Sequence, residues 1–113
     1  MRKQIWKYAI EPGLTTLEMP KGAQILSGHV QSETPHIWAM VDPSAEREKR
    51  YFLCYGTGYE MLDAPNTEQH FIASYVMRGG TLVVHVFERI TKELDATDAG
   101  GLPPYLYGKT KQS

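Results

Sequence analysis

The four residues Arg78-Gly79-Gly80-Thr81 constrain this chain more than any other stretch. An apolar, β-rich run lies on each side of them. Two adjacent glycines supply the positive φ angles that a tight hairpin needs at its centre. Folding the chain there, with Arg78 opposite Thr81, sets a register. Phe71, Ala73, Tyr75 and Met77 then share a face with Leu82, Val84 and Val86. The other face takes His70, Ile72, Ser74, Val76 and Arg78 with Val83, His85, Phe87 and Arg89. The first face reads as core. The second is mixed and reads as a candidate contact surface.

The pattern recurs upstream. Residues 4–10 alternate, with Trp6, Tyr8 and Ile10 on one face and Lys7 on the other. Glu11-Pro12-Gly13 carries turn chemistry. A short strand follows over 15–19, ended by Pro20-Lys21-Gly22. A second hairpin joins 24–31 to 36–41 across Ser32-Glu33-Thr34-Pro35. Pairing Gln31 with His36 gives an apolar layer of Leu26, Gly28, Val30, Ile37, Ala39 and Val41. Ser27, His29, Gln31, His36, Trp38 and Met40 fall on the opposite face, with His29 facing Trp38. A charged connection, whose residues 46–49 could form a helical turn but are too short to stand as a helix, leads to a strand at 50–55. Gly56-Thr57-Gly58 ends that strand, and 61–69 reads as a loop.

About seven short strands with frequent turns predict an all-β fold, a small antiparallel β-sandwich or partly open barrel built from hairpins. With 113 residues there is room for one such domain, placed at 1–90. Residues 91–113 read as a C-terminal arm or tail. Its segment Leu102-Pro103-Pro104-Tyr105-Leu106-Tyr107 is extended in character and too apolar for an idle linker. It is expected to pack on a sheet face, with Tyr105 and Tyr107 as partner contacts.

Charge narrows the class of function. A formal net charge of -1 gives no broad drive toward nucleic acid or anionic membrane, and is too small for a DNA mimic. A local basic patch remains open, with Arg78 and Arg89 as candidates to form one. Cys54, the single cysteine, rules out an intrachain disulfide and a zinc site of several thiolates. The first residues lack the apolar run of a secretory signal, and no run is long enough to cross a bilayer. The expectation is a cytoplasmic protein without cofactor.

Candidate site residues group into three sets. His29 and His36 share a face with Trp38, and with Glu33 they form the nearest approach to a metal site, though no ligand spacing requires one. A polar contact face is the plainer reading. Trp38 and Phe87 each fall on the mixed face of a hairpin, and aromatics so placed dominate binding at protein interfaces. The stretch Tyr55-Gly56-Thr57-Gly58-Tyr59 joins backbone amides to two aromatic rings, which suits a nucleotide-like ligand. It lacks the lysine and following helix of a phosphate loop. Cys54 lies within an apolar strand, where a thiol is ordinarily inert. No nucleophile-elbow sequence accompanies Ser27 or Ser74.

Five stretches taken together, Ile5-Trp6-Lys7-Tyr8, Met19-Pro20-Lys21-Gly22-Ala23, Trp38-Ala39-Met40-Val41-Asp42-Pro43, Gly56-Thr57-Gly58 and the run Gly79 to Glu88, resemble a family of small uncharacterised proteins of bacteriophages and prophages. The resemblance covers about residues 4–88. It implies a mobile-element origin and expression in the cytoplasm of a bacterial host, and it brings no activity, cofactor or catalytic residue. The resulting expectation is a non-enzymatic binding protein. It docks on a host or phage macromolecule, most simply a protein, and inhibition of a host defence or regulatory system is one such role. Short edge strands add the expectation of a homo-oligomer, a two-fold dimer being the simplest. The alternatives are a small-molecule binder and, after that, a small histidine-dependent hydrolase.

Overall fold

The computed structural model describes residues 2–61 and 65–91. Seven strands account for most of them: β1 (Gln4–Ala9), β2 (Gly13–Pro20), β3 (Gln24–Gln31), β4 (Thr34–Val41), β5 (Arg47–Gly56), β6 (Thr67–Met77) and β7 (Leu82–Thr91). They form two antiparallel sheets, a three-stranded one in the order β1-β4-β3 and a four-stranded one in the order β2-β5-β7-β6. The expected all-β sandwich of hairpins is what forms, and the sheets do not close into a barrel. The apolar tail segment, with Tyr105 and Tyr107, lies outside the described residues.

Alternation determines which side chains fill the space between the sheets. Ile37, Ala39 and Val41 of the three-stranded sheet are fully buried, as are Phe52, Val86 and, almost completely, Tyr75 of the other. Trp6, Tyr8, Val30 and Ile25 pack against that cluster. Strand β5 is buried on both faces, because Leu53 and Tyr55 point away from the inter-sheet core yet are 2% and 7% exposed.

The Gly-Gly hairpin adopts the predicted register from Met77–Leu82 to Ala73–Val86. Gly79 and Gly80 take φ of 64° and 95°, and the Thr81 N–H donates to the Arg78 carbonyl at 3.2 Å. A bulge between Phe71 and Ala73 then shifts the register. Phe71 is carried out of the core to face Phe87, 59% exposed, and Ile72 packs inward instead. The shift also takes His70 away from the face of His85, so those two histidines are not neighbours.

The other hairpin differs more. Its turn is two residues, Ser32 and Glu33, both left-handed with φ of 53° and 62°. His29 therefore faces His36, and Ser27 faces Trp38. Pro35 belongs to β4. The pairing with β1 stops at Ala9–His36 because Pro35 has no N–H to continue it, although its carbonyl accepts the Ile10 N–H at 2.9 Å. A bulge between Ile25 and Ser27 turns Ile25 to the core and leaves Leu26 43% exposed. Residues 47–49 of the segment 46–49, read as able to form a helical turn, and residues 67–69 of the expected loop are strand instead.

One polar contact ties the two sheets together, and a second braces the four-stranded sheet. The Tyr75 hydroxyl crosses the sandwich to donate to the His36 carbonyl at 2.9 Å. Gly28 makes this possible, since a Cβ there would collide with the Tyr75 ring and hydroxyl. At the other end Arg50 grips Glu88 with two bonds, Nε to Oε2 at 2.6 Å and Nη2 to Oε1 at 2.9 Å, and donates a third to the Ala23 carbonyl. Glu88 holds the Arg50 pKa above its ordinary value against the opposing effect of burial. The third bond reaches the β2–β3 connection, so the pair anchors that turn as well as two strands.

Candidate functional site

The strand registers define three places where chemistry-bearing side chains converge. The first is the outer face of the three-stranded sheet. Alternation along β4 sends His36, Trp38 and Met40 outward, opposite the buried Ile37, Ala39 and Val41. The Trp38 ring stands 6.1 Å from that of His29 and 5.9 Å from that of His36, the latter edge-on. His36 Nδ1 lies 2.9 Å from the Thr34 carbonyl, which only accepts, so Nδ1 carries the proton and the ring is fixed. On β1, Ile5 lies opposite Met40 and Lys7 opposite Trp38. Ile5 is 63% exposed, and Lys7 Nζ donates to Gln31 Oε1 at 2.6 Å, linking the two outer strands of the sheet. The predicted grouping of His29, His36 and Trp38 forms, although Trp38 is partly rather than fully exposed.

Phe87 does not join it. It lies on the outer face of the other sheet, edge-on to Phe71 at 5.5 Å and to Tyr55 at 5.9 Å. Arg89 is buried on that same face, eleven residues along the chain from Arg78 in the hairpin turn, and the two form no basic patch.

On this second face the Gly-Gly hairpin places Ser74 opposite His85. Thr57 Oγ1 donates to the Val83 carbonyl at 3.2 Å, so His85 Nε2 supplies the proton in its 2.7 Å contact with Thr57. Nδ1 is then free to accept from the Ser74 hydroxyl, also at 2.7 Å. Serine donating to an imidazole is the arrangement of a nucleophile and its base. Here the group on Nε2 is a neutral hydroxyl rather than a carboxylate, so an imidazolium would gain no counter-charge. The chain of bonds pins the 56–59 turn to β7.

The third place is a cavity of about 500 Å³ at the end of the sandwich where both hairpin turns lie. It divides the predicted ligand stretch. Gly56 and Tyr59 line it, with the Tyr59 ring lying 3.1 Å from where a Cβ on Gly56 would stand. Tyr55 points to the opposite side of β5, where its hydroxyl donates to Gln69 Oε1 at 2.6 Å. Thr57 is engaged with His85, and Gly58 is an exposed turn residue with φ of 91°. Cys54 forms part of the cavity wall, its thiol pushed up to about 11 by burial. Reading the sequence alone did not group Ile10, Glu11, Glu33 and Arg78 with this stretch, yet all four line the cavity. The Glu33 carboxylate accepts the Arg78 N–H at 3.3 Å across forty-five residues of chain, a contact no local pattern announces.

Among the described residues no group of three or more His, Cys, Asp or Glu is placed to hold a metal ion. No helix among them is long and apolar enough to cross a membrane.

Fold and sites together define a small two-sheet antiparallel β domain, with one aromatic–histidine surface and one end cavity. The chain belongs to the family described as domain of unknown function DUF7352, whose model matches residues 1–96. No curated protein and no solved structure matches it.

Proposed function

We propose that this domain is a non-enzymatic binding module that docks another protein through the outer face of its three-stranded sheet. The observation that carries the reading is Trp38 set between His29 and His36 on a face bordered by the exposed Ile5. An aromatic ring flanked by polar side chains matches the anchors of protein interfaces. The resemblance to small phage and prophage proteins supports a bacterial cytoplasmic setting, with a host or phage protein as the partner and inhibition of a host system as one role. β1, an edge strand of the same sheet, supports self-association alongside docking on the face.

The test compares the parent chain with Trp38→Ala and Ile5→Lys as baits in a bacterial host lysate, after confirming that both variants are folded. A protein retained by the parent and lost from both variants is the expected result. Retention that is equal on all three baits, or absent from all, removes the reading.

A further inference from the structure

The end cavity carries an inference that rests on observations separate from the docking face. The end of the sandwich holds a recess of about 500 Å³, open to solvent at its mouth, with Ile10, Cys54, Leu82 and Val84 among its walls. It falls in the range of small-molecule sites, roughly 300–1,000 Å³, which pair apolar walls with a few placed polar groups. The walls here come from both sheets. The polar groups stand at the rim, where Glu11, Glu33 and Arg78 are all exposed.

The rim indicates the charge of the occupant. Among the described residues neither Glu11 nor Glu33 takes part in an ion pair. Glu33 is held at the rim by the Arg78 N–H, which donates to its Oε1. The rim thus carries two carboxylates and one guanidinium. The half-exposed Tyr59 ring stands at the same mouth, and an aromatic face also attracts a cation. We propose that this cavity binds a small amphipathic cation, an apolar or aromatic body seated between the sheets with its ammonium group at the Glu11–Glu33 rim.

Cys54 reports on the site, because it is the only cysteine of the chain and lies in the wall. The full chain is labelled with methyl methanethiosulfonate at pH 8.5, alone and with 3-phenylpropylamine, 3-phenylpropan-1-ol or 3-phenylpropanoate. The amine is expected to slow labelling at least fivefold. The alcohol should need about tenfold higher concentration for the same protection, the loss of one charge-assisted bond. In Glu33→Gln the amine should fall to the level of the alcohol, while Leu82→Trp, which fills the cavity, should remove protection by either. Labelling unaffected by all three compounds overturns the proposal. So does a Cys54 that never reacts in the free protein, which would show the space closed or filled by the chain's own residues. Protection strongest with the carboxylate overturns the cationic assignment and gives the site to Arg78. Trp38→Ala should leave every one of these rates unchanged, which separates this result from the docking reading.

Discussion

At the scale of single residues, Gly28 and Tyr75 show how one position can depend on another far away in sequence. The sheets approach closely enough at Gly28 for a tyrosine from the opposite sheet to bond the β4 backbone beside it. Gly28→Ala should cost about 2–4 kcal/mol, combining overpacking with loss of that bond. Tyr75→Phe, which keeps the ring, should cost only about 1–2 kcal/mol. Urea unfolding of both variants checks the order, and an alanine tolerated without loss would show that the sheets are not pinned there. Tyr8 is the counterexample. Its hydroxyl is buried with no hydrogen-bond partner among the described residues, so Tyr8→Phe should be neutral or slightly stabilising. Burial also makes stability depend on alkaline pH. It pushes the Cys54 thiol from 9.0 to about 11 and the Tyr75 hydroxyl from 10.0 to about 12. In each case the unfolded chain gives up its proton first. The stabilisation is therefore complete below the lower value and lost as pH rises through the higher one. Denaturant melts should show decline beginning near pH 9, and in Cys54→Ala beginning about one unit later, where Tyr75 takes over.

At the scale of elements, both hairpins were legible in the sequence, and so was the apolar layer of β4, because period-two alternation is strong there. The bulges were not. Leu26 and Ile72 are apolar residues in apolar surroundings, so an extra residue at either point leaves the alternation looking unbroken while it changes which neighbours are buried. That is why Phe71 reads as core and is exposed. The turn at Ser32-Glu33 was hidden for a different reason. Neither residue signals positive φ, whereas Pro35 two positions on is a strong turn former and draws the assignment toward itself. Contacts such as Glu33 to Arg78, between the two hairpin turns, and Arg50 to Glu88, across the β5–β7 pair, join residues far apart in sequence that only the assembled sheets bring together. The grouping of Trp38 with two histidines needed only the face of one hairpin, and so survived a register error of two residues. The Gly-Gly turn, legible from the start, gives a direct check. Gly80 has φ of 95° with open space around its α-carbon, so Gly80→Ala is strained by backbone alone. It should lose about 1 kcal/mol in a thermal melt without altering contacts elsewhere. No loss would mean that the turn takes another conformation.

At the scale of the whole molecule, two sheets share one core and present different outer faces. The four-stranded sheet buries much of its second face, through Leu53, Tyr55 and Arg89. The three-stranded sheet leaves its second face to Trp38, the histidines and Ile5. The central claim is that this face is kept for another molecule and takes little part in holding the domain together. Strand β4 allows the claim to be tested at adjacent residues, since Ile37 points inward and is fully buried while Trp38 points outward. The most direct measurement is the unfolding free energy of Ile37→Ala and Trp38→Ala in urea, at protein concentrations low enough to exclude association. The account predicts a loss of about 2–5 kcal/mol for Ile37→Ala and under about 1 kcal/mol for Trp38→Ala. Equal losses at the two positions would make the outer face part of the core and contradict it.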